Sequence, residues 1–173
     1  MKYAAWRLLQ TIRARQGMEY GKVVQKLLAL AFLEAGAERA TDRAIQGVDL
    51  EVLVDNRQLA VEVKTCEHSS FVISAKDIAG LEARRVQGCA TYLAVLGGRR
   101  TDEWMFLPVP GTDLSTGSPM SLTMLRPFVD SDLDELVREP FAEVVDRFGP
   151  LAAAEGQGGL NGVLEADERY LRA

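Results

Sequence analysis

Hydrophobic and polar positions along this chain follow two different periods in turn. Val23, Val24, Leu27, Leu28 and Ala31 recur at helical spacing and Gly36 follows Ala35 as a stop, which predicts a helix over residues 18–35. Residues 48–54 and 59–64 instead alternate in period two around the turn residues Asp55-Asn56-Arg57-Gln58, the pattern of a β-hairpin. Ser74 and Asp77 imitate a capping box, with Asp in place of Glu, ahead of Ile78, Leu81, Ala83 and Val86, so a second helix is expected over 75–87. Residues 92–96 read as a short buried strand closed by Gly97-Gly98. Residues 103–107 read as another strand, which Pro108 and Pro110 end and assign to a sheet edge. Residues 109–123 look like a long loop. Ser131 is placed to cap a third helix over 132–148, bent or interrupted at Pro140. From Leu151 onward Gly156, Gly158, Gly159 and Gly162 predict a weakly ordered tail over 151–173, with 164–171 as a short terminal helix.

This order implies one α/β domain over residues 1–150, with a mixed central sheet of four to five strands flanked by helices and a basic helical segment at its start. A chain of 173 residues with 47% hydrophobic and 26% charged positions suits a single globular core. The longest apolar run, residues 23–33, is interrupted by Gln25 and Lys26 and falls short of the ~20 residues of a membrane span, so no membrane association is expected. Arg7 and Arg13 break the apolar stretch a secretory signal needs, and the leading segment reads as part of the fold. Cys66 and Cys89 are too few for a disulfide framework and lack zinc-finger spacing, which predicts reduced, packed thiols in the cytoplasm.

Charge modifies this picture. The net value is −5, but residues 1–30 carry +5, residues 31–98 carry −3 and residues 99–173 carry −7. The overall acidity argues against indiscriminate nucleic-acid binding. The basic leading segment remains able to attract phosphates, or is simply one of two solvated faces.

The hairpin concentrates the candidate chemistry. A two-residue loop at Asn56-Arg57, or a four-residue loop over 55–58, sets Val54 against Leu59, Asp49 against Lys64 and Glu51 against Glu62. In that register Val48, Leu50, Val52, Val54, Leu59, Val61 and Val63 share one face, and Asp49, Glu51, Glu62 and Lys64 line the other. Like charges directly opposite are unfavourable, so this face either looks into water or is neutralised by Lys64 and a bound cation. An oxygen-only donor set suits Mg²⁺ or Mn²⁺ rather than zinc.

Glu19 on a leading helix, Gly47-Val48-Asp49 opening a strand and Val61-Glu62-Val63-Lys64 on the next resemble, in order and interval, the PD-(D/E)XK (restriction-endonuclease-like) nuclease superfamily. Within it the pattern is most similar to the archaeal-type Holliday junction resolvases. The match spans residues 17–96, with Val48 where the family usually has proline, and residues 99–173 have no counterpart in it. The resemblance implies a restriction-endonuclease-like core and a metal-dependent endonuclease with water as nucleophile. Asp49 and Glu62 would hold the metal with the backbone carbonyl of Val63, and Lys64 would orient the water and offset phosphate charge. Glu19 would reach the metal through water, or form an ordinary helical pair with Lys22. DNA, branched or linear, is the implied substrate, and a homodimer the implied assembly. The alternative on the same scaffold is a catalytically inactive module that binds a protein or nucleic-acid partner, with the acidic C-terminal third as the surface for a protein. His68, Lys76, Arg84, Arg85 and Gln87 read as solvated surface groups before phosphate contacts, and Trp6 and Trp104 as packing residues.

Overall fold

The computed structural model of the protein describes residues 3–42, 47–66, 69–97, 104–110 and 114–172. His68 and Glu103 lie outside the described residues. Helix α1 (Tyr3–Gln16) passes through a 3₁₀ turn (Gly17–Glu19) into α2 (Tyr20–Glu34), two residues later than the predicted start. Strand β1 (Arg39–Asp42) follows, then the hairpin β2 (Leu50–Val54) and β3 (Arg57–Thr65), the short β4 (Ser70–Phe71), α3 (Ala75–Val86), β5 (Ala90–Leu96) and β6 (Trp104–Pro108). The chain closes with β7 (Met120–Ser121), a single turn α4 (Leu122–Leu125), α5 (Ser131–Glu165) and β8 (Tyr170–Arg172).

Six strands form one mixed sheet in the order β6-β5-β3-β2-β1-β8, with β3–β5 and β1–β8 parallel and the other pairs antiparallel. The sequence predicts four to five strands because β1 is only four residues long and β8 three, too short for a period to register. The predicted edge strand is confirmed at β6, while β7, within the expected 109–123 loop, pairs with β4, a strand the sequence did not predict.

Both faces of the sheet are covered, and the strand alternation divides the core in two. Tyr92, Ala94 and Leu96 point with Leu50, Val52, Leu59, Val61 and Phe106 into the larger cluster under α1, α2 and α5. Leu93 and Val95 point the other way, with Met105 and Leu107, onto Phe71, Ile73 and Met120. The charged side of the hairpin therefore does not face water: α3 lies across it, and Glu51 and Glu62 are 9% and 5% exposed.

The hairpin register corrects the sequence expectation. Val54 pairs with Arg57, Val52 with Leu59 and Leu50 with Val61, a slip of two residues from the predicted alignment. The loop is Asp55-Asn56, both in the left-handed region at φ 50° and 59°, which a type I′ hairpin turn requires and which Asn and Asp tolerate best. A two-residue slip leaves every strand side chain on its predicted face but changes its neighbours. Glu51 now stands opposite Ala60 instead of Glu62, and Asp49, one step before β2, comes beside Glu62 instead of Lys64. Val48, ahead of the strand, packs with Ala60, Leu81 and Cys89 rather than with the face of Leu50.

The C-terminal third differs most. Asp130, not Ser131, caps α5, its Oδ1 accepting from Leu133 N at 3.1 Å. The helix runs through Pro140 and Pro150 and kinks at Gly156 (φ 61°, ψ −143°), a conformation open to glycine. There Gln16 Nε2 donates to Ala153 O at 3.1 Å, replacing the helical partner the kink removes. The stretch expected to be a weakly ordered tail is thus helix to Glu165 and then a strand beside β1. Just ahead of that stretch, Gly149 serves helix packing, since a Cβ there would meet Leu8 of α1 at 3.3 Å, whereas Gly158 and Gly162 face open space.

On the opposite face Gly80 of α3 is the tight point. A Cβ there would lie 2.8 Å from the backbone oxygen of Gly47, which nothing but a shift of the helix or the loop relieves. Gly80→Ala is expected to lower stability by about 1–3 kcal/mol despite alanine's better helix propensity, as an overpacked contact does. Denaturant titration of the two proteins checks this.

Candidate active site

The C-terminal end of β3 carries Glu62, Val63 and Lys64, and the loop entering β2 brings Asp49 against it. Asp49 Oδ2 accepts from Val63 N at 2.8 Å, so the sheet's own backbone fixes this carboxylate beside Glu62. Lys64 Nζ donates to Glu62 Oε1 at 2.7 Å and is 2.8 Å from Asp77 Oδ2 on the first turn of α3. Asp49, Glu62, Val63 and Lys64 are therefore brought together.

Glu19 makes no described contact with them. It sits exposed on the 3₁₀ turn before α2, where its Oε2 accepts from Gln157 Nε2 just beyond the α5 kink at 2.7 Å. Its described contact holds that kink, and none joins it to the other three. Glu51 is engaged by Arg84 Nε at 2.7 Å, so Arg84, expected to be a solvated charge, is a buried-side counterion.

Two groups at the site went unrecognised in the sequence. Asp77 was legible only as a helix cap. Gln25 of α2 donates to Asp49 O at 3.0 Å and to Asp42 Oδ1 at 2.6 Å. Asp42 in turn holds Lys26 at 2.6 Å and accepts from Tyr170 Oη at 3.3 Å. No local signal marks Gln25, which lies within an apolar helix. The one hint was that it and Lys26 interrupt the run.

The electrostatics separate these groups. Burial first, and then the Asp49 charge, push the Glu62 carboxyl up to about 7 against the help it receives from Lys64. Burial also raises Asp49, outweighing the hydrogen bond from Val63 and the attraction of Lys64. Burial is the largest single influence on Lys64 and Asp77 and opposes both charges, but their mutual hydrogen bond and attraction, joined by Glu62 for Lys64 and by Ser74 for Asp77, together outweigh it, so Lys64 is raised and Asp77 lowered. The ammonium is thus firmly charged, and the Asp49–Glu62 pair is left short of positive charge.

That shortage fits a hard cation. Among the described residues no group of three or more His, Cys, Asp or Glu side chains is arranged to hold a metal ion. Two carboxylates and the Val63 carbonyl would be completed by water and substrate oxygens, a division Mg²⁺ accepts. Beside the end of β3 lies a cavity of about 270 Å³ lined by Arg13, Tyr20, Gly21, Thr65 and Cys66 among others, with the Arg13 guanidinium stacked 4.5 Å from the Tyr20 ring.

No protein-family model matches the chain, and no curated protein matches it significantly. Among solved structures it is similar to Hjc of Archaeoglobus fulgidus, a Holliday junction resolvase from an archaeal hyperthermophile. The two are 20% identical with a TM-score of 0.54, over 66% of this chain and 95% of that one. The likeness is one of fold: a mixed sheet flanked by helices. No helix among the described residues is long and apolar enough to cross a membrane.

The raised Glu62 carries a pH signature. Native Glu62 keeps its proton up to about 7 while the unfolded chain releases it near 4.5. Its contribution to stability is therefore full below the lower value and lost as pH rises through the upper one. In the absence of divalent cations, thermal melts are expected to show Tm falling between about pH 5 and about pH 8. Glu62→Gln should remove much of that fall and melt above the parent at the higher pH. Equal melting of the two proteins there would show that Glu62 is not strained.

Proposed function

We propose that this chain is a metal-dependent nuclease that hydrolyses DNA phosphodiester bonds, resolvase-like or restriction-like, with water as nucleophile. The observation that carries the reading is the pair of charge-deficient carboxylates, Asp49 and Glu62, held beside a firmly protonated Lys64. The fold shared with a Holliday junction resolvase supports it.

Asp49, Glu62 and the Val63 carbonyl hold Mg²⁺ or Mn²⁺ in this reading. Such an ion, when bound, supplies a water of lowered pKa and neutralises charge gathering on the phosphate. The chain's own groups do the rest. Val63 N and Gln25 fix Asp49 from both ends, one through its carboxylate and the other through its backbone carbonyl. Lys64 has three ammonium donors and spends two on Glu62 and Asp77, leaving one for the attacking water or a phosphate oxygen. Arg13 lines the cavity past Thr65, and the exposed bases Arg7, Arg15 and Lys22 on the same two helices, α1 and α2, add local positive charge for a phosphate backbone despite the acidic total. A homodimer, two such sites for two strands, completes the proposal. Sedimentation is expected to give twice 19.0 kDa.

With Mg²⁺ or Mn²⁺ the protein is expected to cut plasmid or four-way-junction DNA, and EDTA to stop it. Asp49→Ala and Lys64→Ala should each reduce cutting by about a hundredfold or more while circular dichroism stays native. Unchanged cutting in both variants would refute the assignment. DNA binding without cutting under any divalent ion would favour a catalytically inactive module.

A further inference from the structure

We infer that Asp77 is a positioning residue for Lys64, and that α3 exists in its present place to deliver it. Asp77 Oδ2 accepts from Ser74 N at 2.9 Å, completing the capping box in which Ser74 Oγ accepts from Asp77 N at 3.2 Å. The same Oδ2 is 2.8 Å from Lys64 Nζ. One carboxylate oxygen thus closes the first turn of a helix and grips the ammonium. A cap needs only the first of these contacts, and Glu62 alone leaves Lys64 free to swing about one hydrogen bond on a four-carbon stem. Two carboxylates on different elements define where the ammonium stands.

The grip is only as firm as the helix that carries it, and α3 is pinned along its length. Asp77, Gly80 and Arg84 recur at helical spacing on one side. Asp77 meets Lys64, Gly80 packs on the Gly47 backbone with no room for a Cβ, and Arg84 pairs with Glu51 at 2.7 Å. Between them Leu81 is fully buried with Val48 and Ala60. The helix therefore spans the loop carrying Asp49 and the strand carrying Lys64, and its first turn sets the distance between the two through Asp77.

The geometry stands by itself, while its catalytic consequence rests on the nuclease reading, and the test separates the two. Asp77→Asn keeps a side-chain oxygen for Ser74 N but removes the charge facing Lys64. Ser74→Ala removes the Oγ acceptor and leaves Asp77 and its grip. Lysine reductive methylation with formaldehyde and dimethylamine–borane, read by peptide mass spectrometry, is expected to modify Lys64 faster relative to the exposed Lys22 in Asp77→Asn, and at the parent rate in Ser74→Ala. In cleavage assays Asp77→Asn should lower kcat about tenfold or more at an unchanged KM for DNA, the loss expected for a charge-assisted contact. Ser74→Ala should lower Tm with kcat kept. Unchanged Lys64 modification in Asp77→Asn, or equal loss of kcat in both variants, would overturn the inference. If the parent cuts no DNA the nuclease reading fails, and the methylation comparison alone still decides whether Asp77 positions Lys64.

Discussion

Asp49 and Glu62 lie side by side where the sheet shields them from water; burial makes both harder to ionise, and the Asp49 charge adds to the burden on Glu62. A fold seeking only stability would separate them or give each a cation. This one has cations nearby but commits Lys26 to Asp42 and Arg84 to Glu51, and divides Lys64 between Glu62 and Asp77. Buried charges are tolerated when paired, so three acids are comfortable and one pair is not. The deficit sits next to the Val63 backbone and the Lys64 ammonium, which gives two of its hydrogens to Glu62 and Asp77 among the described residues.

Holding such a pair together takes rigidity, and the surrounding elements supply it by short-range contacts. The β3 backbone fixes Asp49 through Val63 N, α2 fixes the same residue's carbonyl through Gln25, and α3 leans on the preceding loop through Gly80. None of these contacts contributes much alone, since a neutral hydrogen bond is worth about 1 kcal/mol net. Together they remove the motions by which the carboxylates would relieve their repulsion. Strain of this kind is stored where the structure around it is over-determined.

How far the sequence disclosed this follows from the range of each interaction. The capping box of α3 and the alternation of β2 and β3 are local, and Ser74, Asp77 and the strand faces were legible. The register was not, because Asp55-Asn56 and Asn56-Arg57 are both acceptable turn pairs on composition and only the left-handed backbone at 55 and 56 decides. That two-residue difference preserved the faces, so the hairpin's acids were placed on the correct side of the sheet with the wrong neighbours. Gln25 and the partnership of Asp77 with Lys64 join elements distant in sequence, and no periodicity encodes them. The kinked α5 was hidden for the opposite reason: its glycines and prolines are poor local signals for helix, and tertiary packing on α1 and α2 overrides them.

The C-terminal third, read from the sequence as a loop-rich acidic extension, is bound to the site from behind. Strand β8 adds to β1, and Tyr170 of β8 donates to Asp42, the acid that also receives Gln25 and Lys26. Gln25 then reaches Asp49 O, so an unbroken chain of hydrogen bonds runs from the last strand to the backbone carbonyl of Asp49. At the other end of the same helix, α5 clasps the α1–α2 junction through Gln16 and Gln157 at its kink. The order of α2, which carries Gln25 and borders the cavity at Tyr20 and Gly21, is thus tied to residues 137 and 138 positions later in the chain, counting from Gln16 to Ala153 and from Glu19 to Gln157. Charge repulsion at the site and packing at the α5 kink are in this sense linked: the helix that fixes Asp49 through Gln25 is itself held where the chain enters it by α5 and at its middle by Asp42.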